Sequence, residues 1–352
     1  MPDTLPFFDG HNDTLLRLYR PEPGEARDFF LRSDIGHIDL PRAQEGGFAG
    51  GFFAVFVPPR HAPPPRSAPR AQGLRAPLAT PLDCAYAQRE AMGMTAKLFA
   101  LETASAGQFR VVRQHAELEA NLQANSVSAI LHFEGADPID PDLEALEVFY
   151  QAGLRSLGLV WSRPNAFACG VPFAFPSSAD IGPGLSEVGK ELVKACNRLG
   201  IMLDLSHLNE KGFWDVAQLS QAPLVATHSN VHALCPSSRN LNDKQLEAIG
   251  DSEGMVGLNF ALAFLDKEGQ SNPELPLSVM VEHVDYLVDK LGIEHVGLGS
   301  DFDGAGIPAA IGDVTGVPHL FNALRQRGYD DDALRKLAYE NWFSLLKRTW
   351  QA

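Results

Sequence analysis

The sequence has little that would tie it to a membrane or to a nucleic acid. None of its apolar runs is long enough to span a bilayer. Lys and Arg number 29 against 44 Asp and Glu, a net charge of -15 that leaves no basic excess for phosphate backbones or anionic lipid. The opening Met-Pro-Asp-Thr-Leu-Pro has no basic segment followed by an apolar one, so no secretory signal is expected. Cysteine is scarce. Cys84, Cys169, Cys196 and Cys235 are scattered without a C-x-x-C pair, which speaks against both thiolate zinc and a disulfide framework. No internal repeat of fixed period is present either. The expectation is a cytoplasmic protein that meets a small molecule, with neither nucleic acid nor membrane as partner.

What the chain does have is 45% apolar and 21% charged residues over 352 positions, enough for one large core. Short apolar runs alternate with stretches of helical period. The predicted strands are 6–8, 50–57, 128–133, 154–160, 201–205, 224–226, 255–259 and 295–299. Predicted helices at 185–199 and 277–291 place Leu192, Val193 and Cys196, or Val281, Val284 and Val288, on one stripe. A third, at 330–350, opens on aspartates that suit a helix N-terminus. Alternating β and α with continuously apolar strands implies a parallel sheet covered by helices. The predicted fold is a single (β/α)8 TIM barrel over residues 1–352, with a doubly wound open sheet as the alternative. From Pro58 to Pro81 the chain is rich in proline and arginine, so neither helix nor inner strand is expected there. That segment reads as a surface excursion, or as a lid whose arginines attract a carboxylate.

Chemistry gathers at the ends of the predicted strands. Phe7-Phe8-Asp9-Gly10-His11-Asn12-Asp13 ends in His-x-Asp, and Ile130-Leu131-His132-Phe133-Glu134 ends in a glutamate. Leu203-Asp204-Leu205-Ser206-His207 and Val225-Ala226-Thr227-His228 end in histidines, and Leu298-Gly299-Ser300-Asp301-Phe302-Asp303 in acids. In a barrel the C-terminal strand tips converge on one mouth. Burying that much polarity without a metal or a partner is costly, so the convergence points to a metal site. His11 and Asp13, two apart on a strand, face the same side and can grip one cation. His207 and His228 can grip a second, with Glu134 between them. Such donors suit Zn²⁺, with Mn²⁺, Co²⁺ and Fe²⁺ left open. Two ions about 3.5–4 Å apart would share a hydroxide and polarise a carbonyl.

These stretches, with Thr227-His228-Ser229-Asn230, Ser238-Arg239-Asn240 and Gly299-Ser300-Asp301-Phe302-Asp303-Gly304, resemble the membrane (renal) dipeptidase family. That family comprises zinc peptidases among the amidohydrolase-like barrels, and the resemblance runs from about residue 7 to about 345. It implies one zinc on His11, Asp13 and Glu134 and another on Glu134, His207 and His228. It implies that Arg239 binds the substrate's C-terminal carboxylate, and that Asp301 is the general acid/base, with Asp303 supporting the loop. It also implies acceptance of D-residues at the C-terminal position and a homodimer. No lysine falls at a predicted strand end, so Glu134 is the expected bridging carboxylate.

One position departs from the family. Where a histidine would hold the carbonyl oxygen, this chain has Trp161, in Leu159-Val160-Trp161-Ser162-Arg163-Pro164-Asn165. The oxyanion could be served by the metal, Trp161, Arg163 or Asn165, with Trp161 and Asn165 taken as substrate contacts. His132 is expected to support the site from behind. His37, His61, His115, His232, His283, His295 and His319 are expected to be incidental. The leading function is dipeptide hydrolysis. The same metal site acting on an N-acyl amino acid or a lactam is the second reading, and a non-catalytic binding protein the third.

Overall fold

In the computed structural model, which describes residues 4–60 and 79–350, the apolar runs become strands of one closed parallel sheet. They are β1 (Phe7–Asn12), β2 (Phe48–Phe56), β3 (Phe109–Val111), β4 (Val127–Glu134), β5 (Leu154–Gly158), β6 (Met202–Asp204), β7 (Val225–Ser229), β8 (Met255–Leu258) and β9 (Val296–Leu298). Pairing runs β2-β1-β9-β8-β7-β6-β5-β4, and β2 pairs back onto β4 to close the ring. The expected (β/α)8 barrel is therefore present, and the open doubly wound sheet is not. The short β3, absent from the predicted strands, pairs only with Val127–Ala129, ahead of the part of β4 that pairs with β5.

Helices α1 (Thr14–Tyr19), α2 (Leu40–Gly46), α3 (Cys84–Ala104), α4 (His115–Gln123), α5 (Glu144–Ala152), α6 (Glu187–Leu199) and α7 (Glu210–Leu219) cover the first part of the barrel. Next come α8 (Asp243–Asp251), α9 (Leu262–Leu265), α10 (Leu277–Leu291), α11 (Val317–Arg327), α12 (Asp331–Arg335) and α13 (Asn341–Thr349). The helix expected at 185–199 starts at Glu187 because Ser186 caps it, its hydroxyl accepting from the Gly189 amide at 3.0 Å. The helix expected at 330–350 is split by a π-helical turn, Lys336–Glu340. There the backbone shifts so that Asn341 and Trp342 reach the foot of the barrel, donating to the carbonyls of Val296 (2.8 Å) and Leu298 (3.0 Å).

Trp342 then packs with Phe8, Phe52, Ile130, Met202 and Val225 to fill the barrel below the strand tips. A larger core lies between strands and helices. With the interior plugged from below, the polar tips are left at the open end. Among the described residues no helix is long and apolar enough to cross a membrane. Residues 61–78, most of the proline- and arginine-rich segment, lie outside the described residues.

Candidate metal centre and active site

β1 runs past its apolar residues through His11 and Asn12, both fully buried at the mouth of the barrel. Asp13 follows at the head of α1, and Glu134 is the last residue of β4. His228 lies within β7. His207 comes three residues after β6, in a left-handed backbone conformation with φ of 66°.

The side chains meet around one oxygen. Glu134 Oε1 lies 3.0 Å from His207 Nε2, 3.7 Å from His228 Nε2 and 3.8 Å from His11 Nε2. His207 and His228 bring their Nε2 atoms within 3.2 Å of each other, and His11 Nε2 is 3.5 Å from Asp13 Oδ2. Their orientation is fixed from behind. The Ser162 hydroxyl sits 2.8 Å from His207 Nδ1. The Thr227 hydroxyl sits 2.8 Å from His228 Nδ1 and donates to Asp204 Oδ2 at 2.6 Å. With each Nδ1 facing a hydroxyl, Nε2 is the atom left for the site.

Electrostatics describe a cluster short of positive charge. Burial holds His207 and His228 well below the usual imidazole range, so both are neutral. Burial raises Glu134 well above, and Asp301 above, the usual carboxylate range. Burial also opposes a proton on His11, but Glu134, Asp13 and Asp301 outweigh it and push His11 up to about 10. Both ring nitrogens of His11 and Asp13 Oδ1 are buried without a hydrogen-bond partner among the described residues. Ligand atoms of His11, Glu134 and His228, and of His11, Asp13 and Asp301, each lie within 4.8 Å of one another. Unmet donor atoms of imidazole and carboxylate type, gathered at this spacing, fit divalent metal ions. All five expected ligands converge, although these groupings place His11 beside His228 and Asp301 beside Asp13.

Above the cluster is a cavity of about 350 Å³, lined on its polar side by Asp13, Glu134, His207 and Asp301. Phe56, Trp161, Phe173 and Phe264 form the other wall, with successive ring centroids 5.0, 5.4 and 5.8 Å apart. Trp161 is thus a wall residue, and its indole N–H has no hydrogen-bond partner among the described residues. The other two suggested oxyanion donors do not line the cavity. Arg163 is buried and spent on Asp137 Oδ1 (3.1 Å) and the Val57 carbonyl (2.7 Å). Asn165 donates to the Leu159 carbonyl (2.8 Å) and accepts from the amides of Phe167 (2.9 Å) and Ala168 (3.1 Å). Its carboxamide braces a turn, which corrects the expectation of a substrate contact.

Asp301 lines the cavity, with Oδ2 accepting from the Asn259 carboxamide at 3.0 Å. Arg239 lies behind the wall, buried, its guanidinium carbon 5.7 Å from the Phe264 ring centroid. It donates to Ser229 Oγ (3.0 Å) and the His228 carbonyl (2.9 Å), while its Nε is buried without a partner. Burial lowers it to about 10, still a cation at neutral pH. His132 is buried in the barrel, 2.9 Å from Ser156 Oγ through Nδ1, with Nε2 3.7 Å from Asp204 Oδ2 and its ring edge against His11.

Several contributors escape the linear sequence. Asp9 accepts from the Ser300 amide (2.6 Å) and hydroxyl (2.9 Å), tying β1 to the segment that carries Asp301. Asp303, expected to support its loop, does so by accepting from Arg27 (2.7 Å), Thr14 (2.9 Å) and the His37 amide (2.6 Å). His37 Nδ1 accepts in turn from the Asp303 amide at 2.8 Å, so His37 is part of this bracket rather than incidental. Asp301 and Asp303 both have positive φ, 61° and 66°. Gly304 beside them has no room for a Cβ, which would run into the carboxylates of Asp13 and Asp301. A signal for the helpers was present only in part: Ser162 and Thr227 adjoin residues already singled out.

Known proteins share this site's framework. A family model described as membrane dipeptidase (peptidase family M19) matches residues 2–352. A metallo peptidase from Rhodobacter sphaeroides, crystallised with a phosphinate mimic of the dipeptide L-Ala-D-Ala, is 53% identical with a TM-score of 0.94, covering 99% of this chain and 100% of that one. The M19 metallo peptidase called dipeptidase AC is also 53% identical, with a TM-score of 0.93 and the same coverage. A Klebsiella pneumoniae protein, named as uncharacterized in the pqqA 5' region, is 48% identical over 70% of this chain and 91% of its own.

Proposed function

The chain belongs to the membrane dipeptidase family, peptidase family M19, and on that premise we propose that it hydrolyses dipeptides, Xaa-D-Xaa among them, with two zinc ions. His11 and Asp13 would hold one ion and His207 and His228 the other, with Glu134 common to both. When bound, such ions supply Lewis acidity and lower the pKa of water. The observation that carries this reading is the meeting of His11, Asp13, Glu134, His207 and His228 beneath a cavity walled by aromatic rings.

The chain's own groups have defined tasks in this reaction. Arg239, by its family, would bind the substrate carboxylate; its Nε–H has no partner among the described residues and lies beside the Phe264 ring, so the contact requires that ring to move aside. Trp161 offers its indole N–H to the oxygen of the scissile carbonyl. Asn259 holds Asp301 Oδ2, leaving Oδ1 to take a proton from the attacking water and pass it to the leaving amine. Burial raises Asp301, which makes its protonated form accessible at that step. Water oxygen joins the carbonyl carbon, the C–N bond breaks, and an amino acid leaves from each side. The dipeptide mimic held by the Rhodobacter sphaeroides relative supports a substrate of this size. We place the enzyme in the reducing cytoplasm, on the ground of four unpaired cysteines, and expect a homodimer from its family.

An N-acyl amino acid or a lactam is the second reading, favoured by one feature: Phe56, Trp161, Phe173 and Phe264 present an apolar face that suits an acyl group. Purified, zinc-loaded protein assayed on L-L and L-D dipeptides, N-acyl amino acids and lactams tests both. Turnover confined to dipeptides is expected; turnover confined to the other amides would overturn the proposal.

A further inference from the structure

Arg239 and His228 lie on the β7 side of the cluster, and β1 stands three places further round the ring. A dipeptide whose carboxylate is held at Arg239 can extend its amino-terminal residue across the mouth toward β1, α1 and the loop after β9. On that side the cavity is lined by Asp13, Leu16, Arg17, Asp301 and Gly304. Arg17 is one helical turn beyond Asp13, so the two side chains share a face of α1.

Among the described lining residues Arg17 is the only lysine or arginine. Its Nε donates to the Asp303 carbonyl at 3.0 Å, which fixes the base of the guanidinium. Among the described residues its terminal nitrogens make no hydrogen bond: Nη1 has only a long ion pair, 3.8 Å, with the exposed Glu25 carboxylate. The Asp303 carboxylate does not neutralise it, being bonded to Arg27.

From this placement we propose that Arg17 is a specificity-determining residue that binds an anionic side chain on the amino-terminal residue of the dipeptide, so that Glu-Xaa and Asp-Xaa substrates are preferred over neutral ones. The inference rests on the dipeptidase reading above. The planar fork of a guanidinium matches a carboxylate in two-point contact, and a partly exposed pair in a cleft discriminates about twofold to fivefold.

The test compares L-Glu-D-Ala with its isostere L-Gln-D-Ala, and L-Asp-D-Ala with L-Asn-D-Ala, on the zinc-loaded full chain. Wild-type kcat/KM is expected to favour the acidic member about twofold to fivefold, mostly through KM. In Arg17→Gln the ratio falls to one or below, and in Arg17→Lys part of it returns. Because each ratio is taken within one protein, any effect of the substitution on the Asp303 loop cancels. In Glu25→Gln, which removes the competing carboxylate, the ratio rises. A wild-type ratio of one or less, or a ratio unchanged in Arg17→Gln, overturns the inference while leaving dipeptide hydrolysis standing. No turnover of any dipeptide overturns both.

Discussion

One oxygen of Glu134 lies 3.0 Å from Nε2 of His207, and it is the atom around which the site is arranged. The same oxygen approaches His11 and His228, so the carboxylate connects β1, β6 and β7 from the tip of β4. Glu134→Gln keeps the shape and removes the charge. Groups that only support a metal ligand are worth about 10–100-fold, so loss of a shared ligand is expected to cost more than about a hundredfold in kcat/KM. On the proposed two-ion reading, bound metal, measured by mass spectrometry, should fall from two equivalents to one or fewer.

Thr227 sits between His228 and Asp204, accepting from one and donating to the other. Thr227→Val keeps the volume and removes the hydroxyl, freeing the imidazole to rotate and leaving Asp204 one donor short. Zinc affinity in chelator competition should fall about 10–100-fold, with little change in the fold by circular dichroism.

Arg163 and Asp137 are both buried and paired at 3.1 Å behind the Trp161 wall. Asp137→Ala leaves a guanidinium buried without its counter-ion, at a cost of about 3–5 kcal/mol. Urea unfolding should show that loss, and Arg163→Met in the same chain should recover part of it.

His283 is buried, accepts from the Val231 amide at 3.3 Å and contacts the Leu265 carbonyl at 3.2 Å. Burial lowers it from 6.5 to about 4, so the unfolded chain binds its proton first as the pH falls. Its contribution to stability is whole above about pH 6.5 and is lost progressively toward about pH 4, up to about 3 kcal/mol. The stability difference between wild type and His283→Asn, measured by denaturation, should shrink by that order between pH 7 and pH 4.

Much of this was readable from the chain because strand tips are where apolar runs stop. His11, Glu134, His207 and His228 each end such a run, and a barrel brings tips together whatever their distance in sequence. Hydrophobic pattern alone ends β1 at Phe8, because His11 and Asn12 are polar yet buried. β3 was missed because its three residues alternate, with only Phe109 and Val111 buried. The helix α3 escaped because its inward face includes Glu90 and Thr95 and carries no clean apolar stripe. Arg17, Arg27 and His37 matter through Asp303, which is more than 260 residues away from each, and no local signal marks such a contact. Asn165 shows the opposite error: near a candidate oxyanion position in sequence, it turns away to satisfy backbone groups.

The most direct test is a zinc titration of chelator-stripped protein with L-Ala-D-Ala as substrate. The site described here predicts no hydrolysis in the stripped protein and activity that rises with added zinc, levelling at two equivalents per chain. Hydrolysis that survives stripping, or zinc-loaded protein that leaves the dipeptide intact, would contradict it.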